Sequence, residues 1–217
     1  MGDLKITYYG HSMFLVEDEQ NQLVTDPFDE SVGYLLPDLE AKVVLVSHGH
    51  FDHNNASLVQ GASHVINKIE PFPFLMGTLK IEGCPSYHDT CQGKERGENI
   101  IFKWHMSGVT FAHMGDYGET GLSEEQQIFL SGTDVLFVPV GGIYTIDWRK
   151  AIELVELVKP KVTIPMHYKT GCCQLNIDDA GEFVSSFENP VFHSSTINIL
   201  ANQLPKTREV WVLEPYS

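Results

Sequence analysis

Val43-Val44-Leu45-Val46-Ser47-His48-Gly49-His50-Phe51-Asp52-His53 is the stretch on which the reading of this chain turns. Its opening residues are apolar and mostly β-branched, the pattern of a strand buried on both faces. A loop follows that carries three His and one Asp within six positions. Residues two apart in extended chain point to the same side, so His48 and His50 can offer both imidazoles to one cation. Beyond the turn, Asp52 and His53 are free to face a second position nearby. Imidazole with carboxylate is a donor set for zinc, and also for iron or manganese. A lone His mostly caps or hydrogen-bonds; four donors this close behind a buried strand point to metal.

Outward from that loop, the N-terminal side reads as a β-meander, Leu4–Tyr9, Met13–Val16 and Gln22–Thr25, closed by the turn signal Asp26-Pro27. On the C-terminal side, His64–Ile66, Thr78–Ile81, Ile100–Trp104 and Val109–Ala112 continue the strand pattern. Ser123 followed by Gln126 forms a capping-box sequence at the start of a helix over Ser123–Phe129. Asp134–Pro139 and Lys161–Ile164 are further buried strands. Between them, Ala151, Leu154, Val155 and Val158 fall at helical spacing and Pro160 closes the helix. Asp178–Phe187 is helix-like, and Val210–Leu213 is a last strand. No repeat or linker divides the chain, so residues 1–217 are expected to form a single layered α/β domain.

Composition narrows the function. With 42% hydrophobic residues among 217, a sizeable core is expected and disorder is excluded. Lys plus Arg is 14 against 29 Asp plus Glu, a net charge of −15, and no basic patch is present to neutralise a nucleic-acid backbone. No apolar run reaches the roughly 18 residues that a membrane span needs, and Met1 to Thr7 lacks signal-peptide character. The expectation is a soluble, cytoplasmic protein. Cys84, Cys91, Cys172 and Cys173 have no metal-binding spacing and read as free thiols in a reducing compartment.

Ser47–His53 resembles the signature of the metallo-β-lactamase superfamily, and later motifs resemble it in order: Tyr87-His88-Asp89, Ala112-His113-Met114-Gly115-Asp116 and Ile164-Pro165-Met166-His167-Tyr168. Gly10-His11, Asp26-Pro27, Gly141-Gly142 and Met166-His167-Tyr168 also resemble the branch of metal-dependent hydrolases that includes L-ascorbate-6-phosphate lactonase. The resemblance implies a four-layer αββα sandwich, two mixed β-sheets flanked by helices, with the site where strand-ending loops converge. It implies two divalent metal ions, Zn2+ first and Mn2+ or Fe as alternatives. His48, His50 and His88 would hold one, Asp52, His53 and His167 the other, and Asp116 would bridge them. Asp26, His11 and Asp89 would stand behind the ligands and orient them. His64, His105, His113 and His193 match no ligand position and read as structural or exposed.

The chemistry implied is hydrolysis. Two divalent ions lower the pKa of a shared water from 15.7 to about 7, so that a bridging hydroxide can attack an ester, lactone, amide or phosphodiester. Asp52 would orient that hydroxide and accept its proton, and His167 or a donor behind the ligands would assist the leaving group. No G-x-S-x-G elbow, phosphate loop or dinucleotide fingerprint offers another route. Lys94, Arg96 and Lys169 lie close in sequence to His88 and His167 and are candidates for binding an anionic substrate. About fifty residues follow His167, too few for the added domains of the glutathione-thioester or RNA-processing relatives. The expected partner is a small molecule, an ester, lactone or phosphorylated metabolite; neither nucleic acid nor membrane is expected, and a homo-oligomer is left open. Two rivals stand beside this reading: a di-iron redox protein of the same fold, and a non-catalytic metal-binding module.

Overall fold

A computed structural model describes residues 3–69 and 73–217. Met1 and Gly2, which open the N-terminal stretch read above, lie outside the described residues. The strands in chain order are β1 (Leu4–Gly10), β2 (Met13–Glu17), β3 (Gln22–Thr25), β4 (Leu39–Glu40), β5 (Val43–Leu45), β6 (Val59–Gln60), β7 (His64–Ile66) and β8 (Phe74–Met76). They continue with β9 (Leu79–Tyr87), β10 (Glu98–Met106), β11 (Val109–His113), β12 (Val135–Pro139), β13 (Val162–Met166), β14 (Val191–His193), β15 (Thr196–Ile199) and β16 (Glu209–Leu213). Among the described residues they form a six-stranded sheet, β15-β1-β2-β3-β5-β7, and an eight-stranded sheet, β14-β16-β13-β12-β11-β10-β9-β8, with β4 and β6 paired separately.

Both sheets are mixed. In the first, β1, β2 and β3 run antiparallel and β3, β5 and β7 parallel. In the second, β9, β10 and β11 run antiparallel, and β11, β12 and β13 parallel. Two antiparallel steps restore direction, so β1 points like β3 and β5, and β9 points like β11 and β13. β1, β3 and β5 of the first sheet and β9, β11 and β13 of the second therefore each deliver a loop from their C-terminal ends. That arrangement builds the site.

The period of two along each strand sorts the core. Phe14, Val16, Leu23, Val43 and Leu45 face the eight-stranded sheet and pack with Ile81, Phe102, Phe111 and Phe137. Their neighbours Met13, Leu15, Val24, Val44 and Val46 face the other way, into a separate cluster with Phe28, Val32, Tyr34 and Ile177. Every residue of β12 is buried, as expected for a central strand covered on both faces.

The helices α1 (Glu124–Leu130), α2 (Trp148–Val158) and α3 (Gly181–Ser185) pack in series, and α2 lies against β12. Ser123 and Gln126 form the expected capping box. Asp147 caps α2, whose buried stripe is Ala151, Leu154 and Val155. Over the six-stranded sheet the outer layer is thinner. It consists of loops with the single 3-10 turns Glu30–Val32 and Ala56–Leu58 rather than long helices.

The structure adds the short strands β4, β6, β8 and β14 to the sequence reading and differs from it elsewhere. β9 runs on to Tyr87 through Gly83 and Pro85, six residues past the Ile81 at which the sequence reading ends the strand. β8 pairs only with residues 79–81, so Pro85 lies on a stretch whose recorded partner is β10. The helix expected over Asp178–Phe187 shrinks to the single turn of α3, because Asp178 is tied by backbone bonds to Gly141 and Lys169. Finally, Thr196–Ile199 adds to the edge of the first sheet beside β1, a long-range pairing that local pattern does not reveal.

Candidate metal centre

Each candidate ligand lies just beyond the C-terminal end of a strand. His11 follows β1, Asp26 follows β3, His48–His53 follow β5, His88 follows β9, Asp116 follows β11 and His167 follows β13. Three of them have left-handed backbone: His11 at φ 53°, Asp26 at φ 40° and His167 at φ 52°. For residues with a Cβ this conformation costs roughly 1–3 kcal/mol each, and it persists where surrounding contacts over-determine it. At each of the three positions it turns the chain sharply at the strand end, so the side chain enters the space between the two sheets' edges.

Asp116 lies at the focus. Its Oδ1 is 3.1 Å from His53 Nε2, and its Oδ2 is 3.1 Å from His88 Nε2, 3.2 Å from His167 Nε2 and 3.7 Å from His48 Nε2. On one side, His48, His50 and His88 bring donor atoms within 4.8 Å of one another; on the other, His11, Asp52, His53 and His167 do the same. His48 Nε2 is 3.0 Å from His50 Nδ1. His11 Nε2 is 3.1 Å from Asp52 Oδ2 and 3.2 Å from His53 Nε2. His11, expected behind the ligands, thus has its ring nitrogen among them.

These residues fit a cation. Asp116 Oδ1 and His167 Nε2 are buried and make no hydrogen bond, although each lies near an opposite partner. Such atoms aim at a common point rather than at each other. Burial disfavours a charged His53, yet Asp116, Asp52 and Asp26 converge on it and raise its pKa well above the ordinary value. The position demands positive charge. Burial and the neighbouring His53 push His48 down to about 3, and burial with His167 pushes His11 to about 4. Both are therefore neutral, the form in which imidazole ligates. Burial opposes the Asp116 carboxylate, but His167 and His53 hold its pKa well below the usual range.

Behind the donors stands a hydrogen-bonded frame. Asp26 accepts from the Ser47 amide, the Ser47 hydroxyl and His53 Nδ1, at 2.7, 2.7 and 2.9 Å. Ser47 Oγ in turn lies 3.0 Å from His48 Nδ1. Asn99 accepts the Asp116 amide at 2.9 Å and donates to Ser86 Oγ and the Met114 carbonyl. Gly115 is required here: at φ 55°, a Cβ would come within 2.3 Å of Asn99 Oδ1 and 2.6 Å of Ser47 Cβ. His113 plays a structural part, with Nε2 donating to the Ser12 carbonyl and Nδ1 accepting from the Gly115 amide. His64 and His105 are exposed, and His193 is half-buried against Trp211.

The centre opens into a cavity of about 500 Å3. His50, Asp52, His88 and Asp116 form its floor, and Phe51, Arg96, Tyr144 and Leu175 line the rest. Of the three cations singled out from sequence, only Arg96 borders it, with its guanidinium 5.8 Å from the Tyr144 ring centre. Lys94 is exposed and outside the lining, and Lys169 donates to the Leu175 carbonyl at 2.7 Å. Asp89 is not hydrogen-bonded to the His88 imidazole, whose Nδ1 makes no hydrogen bond. Burial opposes its charge, but four amide N–H groups of the loop that follows hold its carboxyl well below the ordinary range. Phe51 and Leu175 were not legible as lining residues, since both belong to loops whose path depends on the rest of the fold.

Fold and site together define a metal-dependent hydrolase of the metallo-β-lactamase superfamily. The family model described as a beta-lactamase superfamily domain matches residues 5–167. A curated relative from Carboxydothermus hydrogenoformans is 33% identical over 209 residues, covering 83% of this chain and 90% of that protein, and one from Archaeoglobus fulgidus is 32% identical over 199 residues, covering 77% and 84%. Both are named UPF0173 metal-dependent hydrolases, and the chain belongs to that family. A crystal structure from Thermotoga maritima, of a protein proposed as a Zn-dependent hydrolase of the same superfamily, superposes with a TM-score of 0.80 at 35% identity, covering 97% of this chain and 98% of that one. Igni18, a metallo hydrolase from Ignicoccus hospitalis, shares the fold at 23% identity with a TM-score of 0.69. Among the described residues, no helix is long and apolar enough to cross a membrane.

Proposed function

We propose that this hydrolase opens a small anionic ester, with a lactone of a phosphorylated or carboxylated metabolite as the preferred class. The observation that carries the reading is the meeting of the His/Asp cluster with a cavity whose single lining cation outside that cluster is Arg96. His48, His50 and His88 would hold one divalent ion, and Asp52, His53 and His167 a second, with Asp116 between them and zinc as the first candidate. When bound, such ions polarise a carbonyl or phosphoryl oxygen and make water acidic enough to attack at neutral pH.

The remaining work falls to the side chains. Burial opposes the Asp52 carboxylate, yet His53 and the hydrogen bond from His11 hold its pKa well below the usual range, so it is ionised at neutral pH. It can accept the proton of the attacking water and pass it to the leaving oxygen. His11, 3.1 Å away, orients that carboxylate. The Arg96 guanidinium is suited to the anionic end of the substrate, and Phe51, Tyr144 and Leu175 to its carbon skeleton. In a lactone, water adds to the carbonyl carbon, the ring C–O bond breaks, and the product is a hydroxy acid. The motifs Gly10-His11, Asp26-Pro27, Gly141-Gly142 and Met166-His167-Tyr168, read as a resemblance to L-ascorbate-6-phosphate lactonase, favour this class.

Metal analysis with a hydrolysis screen on the same sample tests the proposal. The screen covers lactones, phosphodiesters, thioesters and β-lactams, with and without chelator. Near two zinc ions per chain and chelator-sensitive opening of an anionic lactone are expected. Two irons with an optical band, or no turnover after reconstitution, would overturn it.

A further inference from the structure

The loop between His88 and β10 is folded around one buried carboxylate. Asp89 Oδ1 accepts the amides of Cys91 and Gly93, both at 2.8 Å, and Oδ2 accepts those of Glu95 and Arg96 at 2.9 and 2.8 Å. The loop closes on itself through Gly97 N–H to the Gly93 carbonyl and His88 N–H to the Gly97 carbonyl. Gly93 permits this at φ 77°; a Cβ there would lie 3.1 Å from the Gly97 backbone and from the Tyr87 ring. The consequence is positional: a long, otherwise floppy arginine starts from a backbone fixed within a few bonds of the ligand His88.

We propose that Asp89 is a positioning residue for substrate recognition: its carboxylate fixes the backbone of Arg96 so that the guanidinium meets the anionic end of the substrate at a set distance from the metal centre. The assignment rests on the proposed anionic substrate. It separates the two jobs that adjacency to His88 confuses, since Asp89 bonds the loop and not the imidazole. The chemistry requires a carboxylate. An Asn offers one acceptor oxygen, so in either orientation its NH2 group faces two of the four amides and repels them. Loss of that fixed starting point should weaken anion binding by about tenfold.

The test uses the full chain reconstituted with zinc and benzenesulfonate as probe, an anion that ligates zinc poorly, with phenyl methyl sulfone as its uncharged counterpart. Binding is read by NMR titration, and amide exchange of Cys91, Gly93, Glu95 and Arg96 is followed in the same samples. Asp89→Asn and Arg96→Ala should each weaken benzenesulfonate about tenfold, leave the sulfone and the zinc content unchanged, and give a double variant no weaker than Arg96→Ala alone. Gly93→Ala should reproduce the Asp89→Asn effect without touching the carboxylate. Loss of zinc in Asp89→Asn, equal losses on both probes, additive losses in the double variant, or absent benzenesulfonate binding in the parent protein would each overturn the assignment. Lack of turnover with normal, Asp89-dependent benzenesulfonate binding would instead count against the hydrolytic reading and for the positioning role.

Discussion

His53 Nδ1 lies 2.9 Å from Asp26 Oδ2, and that contact joins the smaller sheet to the metal centre. Asp26 reaches it from the end of β3 by taking the left-handed backbone at φ 40°. With Nδ1–H donated to the carboxylate, Nε2 of His53 is the atom that faces Asp116 and Asp52. The same carboxylate carries Ser47, whose hydroxyl stands beside His48 Nδ1. One buried acid therefore sets the tautomer and aim of two histidines, one directly and one through a serine.

Asp26→Asn should weaken metal binding by about 10–100-fold, the usual cost of removing a carboxylate behind a ligating His. The amide offers one acceptor oxygen to three donors. Competition titration against a chromophoric chelator reads the change directly. An unaltered affinity would show that Asp26 supports the loop without tuning the ligands.

Gly115→Ala should cost more than about 2 kcal/mol in unfolding free energy, since it combines a left-handed backbone with overpacking. The added methyl would drive Asn99 away from the Asp116 amide and push on Ser47, so metal content should fall with stability. Denaturant unfolding and metal analysis of the same preparation check both. Gly49→Ala is the control, because a Cβ at Gly49 meets nothing within 4 Å.

Chelation should lower thermal stability even though the fold has a large apolar core. A ligand at about a thousandfold its Kd adds about 4 kcal/mol to the native state, which for a chain of this size is a Tm shift of about 10 °C. Differential scanning calorimetry with and without a strong chelator measures it, and added zinc should restore the loss. Equal midpoints in both conditions would mean that the clustered donors hold no ion in the native protein.

Acid should destabilise the protein partly through His113. Burial lowers its pKa below the ordinary value, and protonating Nδ1 would break the bond from the Gly115 amide. Between its folded value and the unfolded value of about 6.5, the unfolded chain alone binds that proton. Stability is therefore lost as pH falls below about 6.5, by at most about 1.4 kcal/mol per pH unit for this group. His113→Gln keeps a donor and an acceptor without a titrating ring. Its unfolding free energy, measured on zinc-loaded samples from pH 7 to 5, should decline less steeply than that of the parent chain; parallel declines would contradict the prediction.

Much of this arrangement is legible in the chain itself, and the reasons are local. Val43–Val46 declares a buried strand, Ser47–His53 crowds donors too closely for ordinary caps, and Ser123 with Gln126 spells out a helix start. The order of Tyr87-His88, Gly115-Asp116 and Met166-His167 behind that first motif carries the superfamily and its layered fold. Where the reading falls short, the missing information is non-local. The strand read over Thr78–Ile81 runs on to Tyr87 because its later residues pair with β10, a partner that local pattern does not show. Lys94, Arg96 and Lys169 are equivalent as nearby cations until the loops close.

The amino-acid sequence by itself determined the donor types, the strands that deliver them and the alternation that sorts two apolar faces, because these depend on spacing along one chain. Tertiary structure alone decided which donors meet. His11 and Asp52 are separated by dozens of residues, and only the parallel exit of β1 and β5 brings them to 3.1 Å. It also chose Arg96 over Lys169 at the cavity, since Lys169 is drawn to the Leu175 carbonyl while the carboxylate of Asp89 gathers the loop that carries Arg96. Hydrogen bonds between segments far apart in sequence made those choices, and no local pattern encodes them.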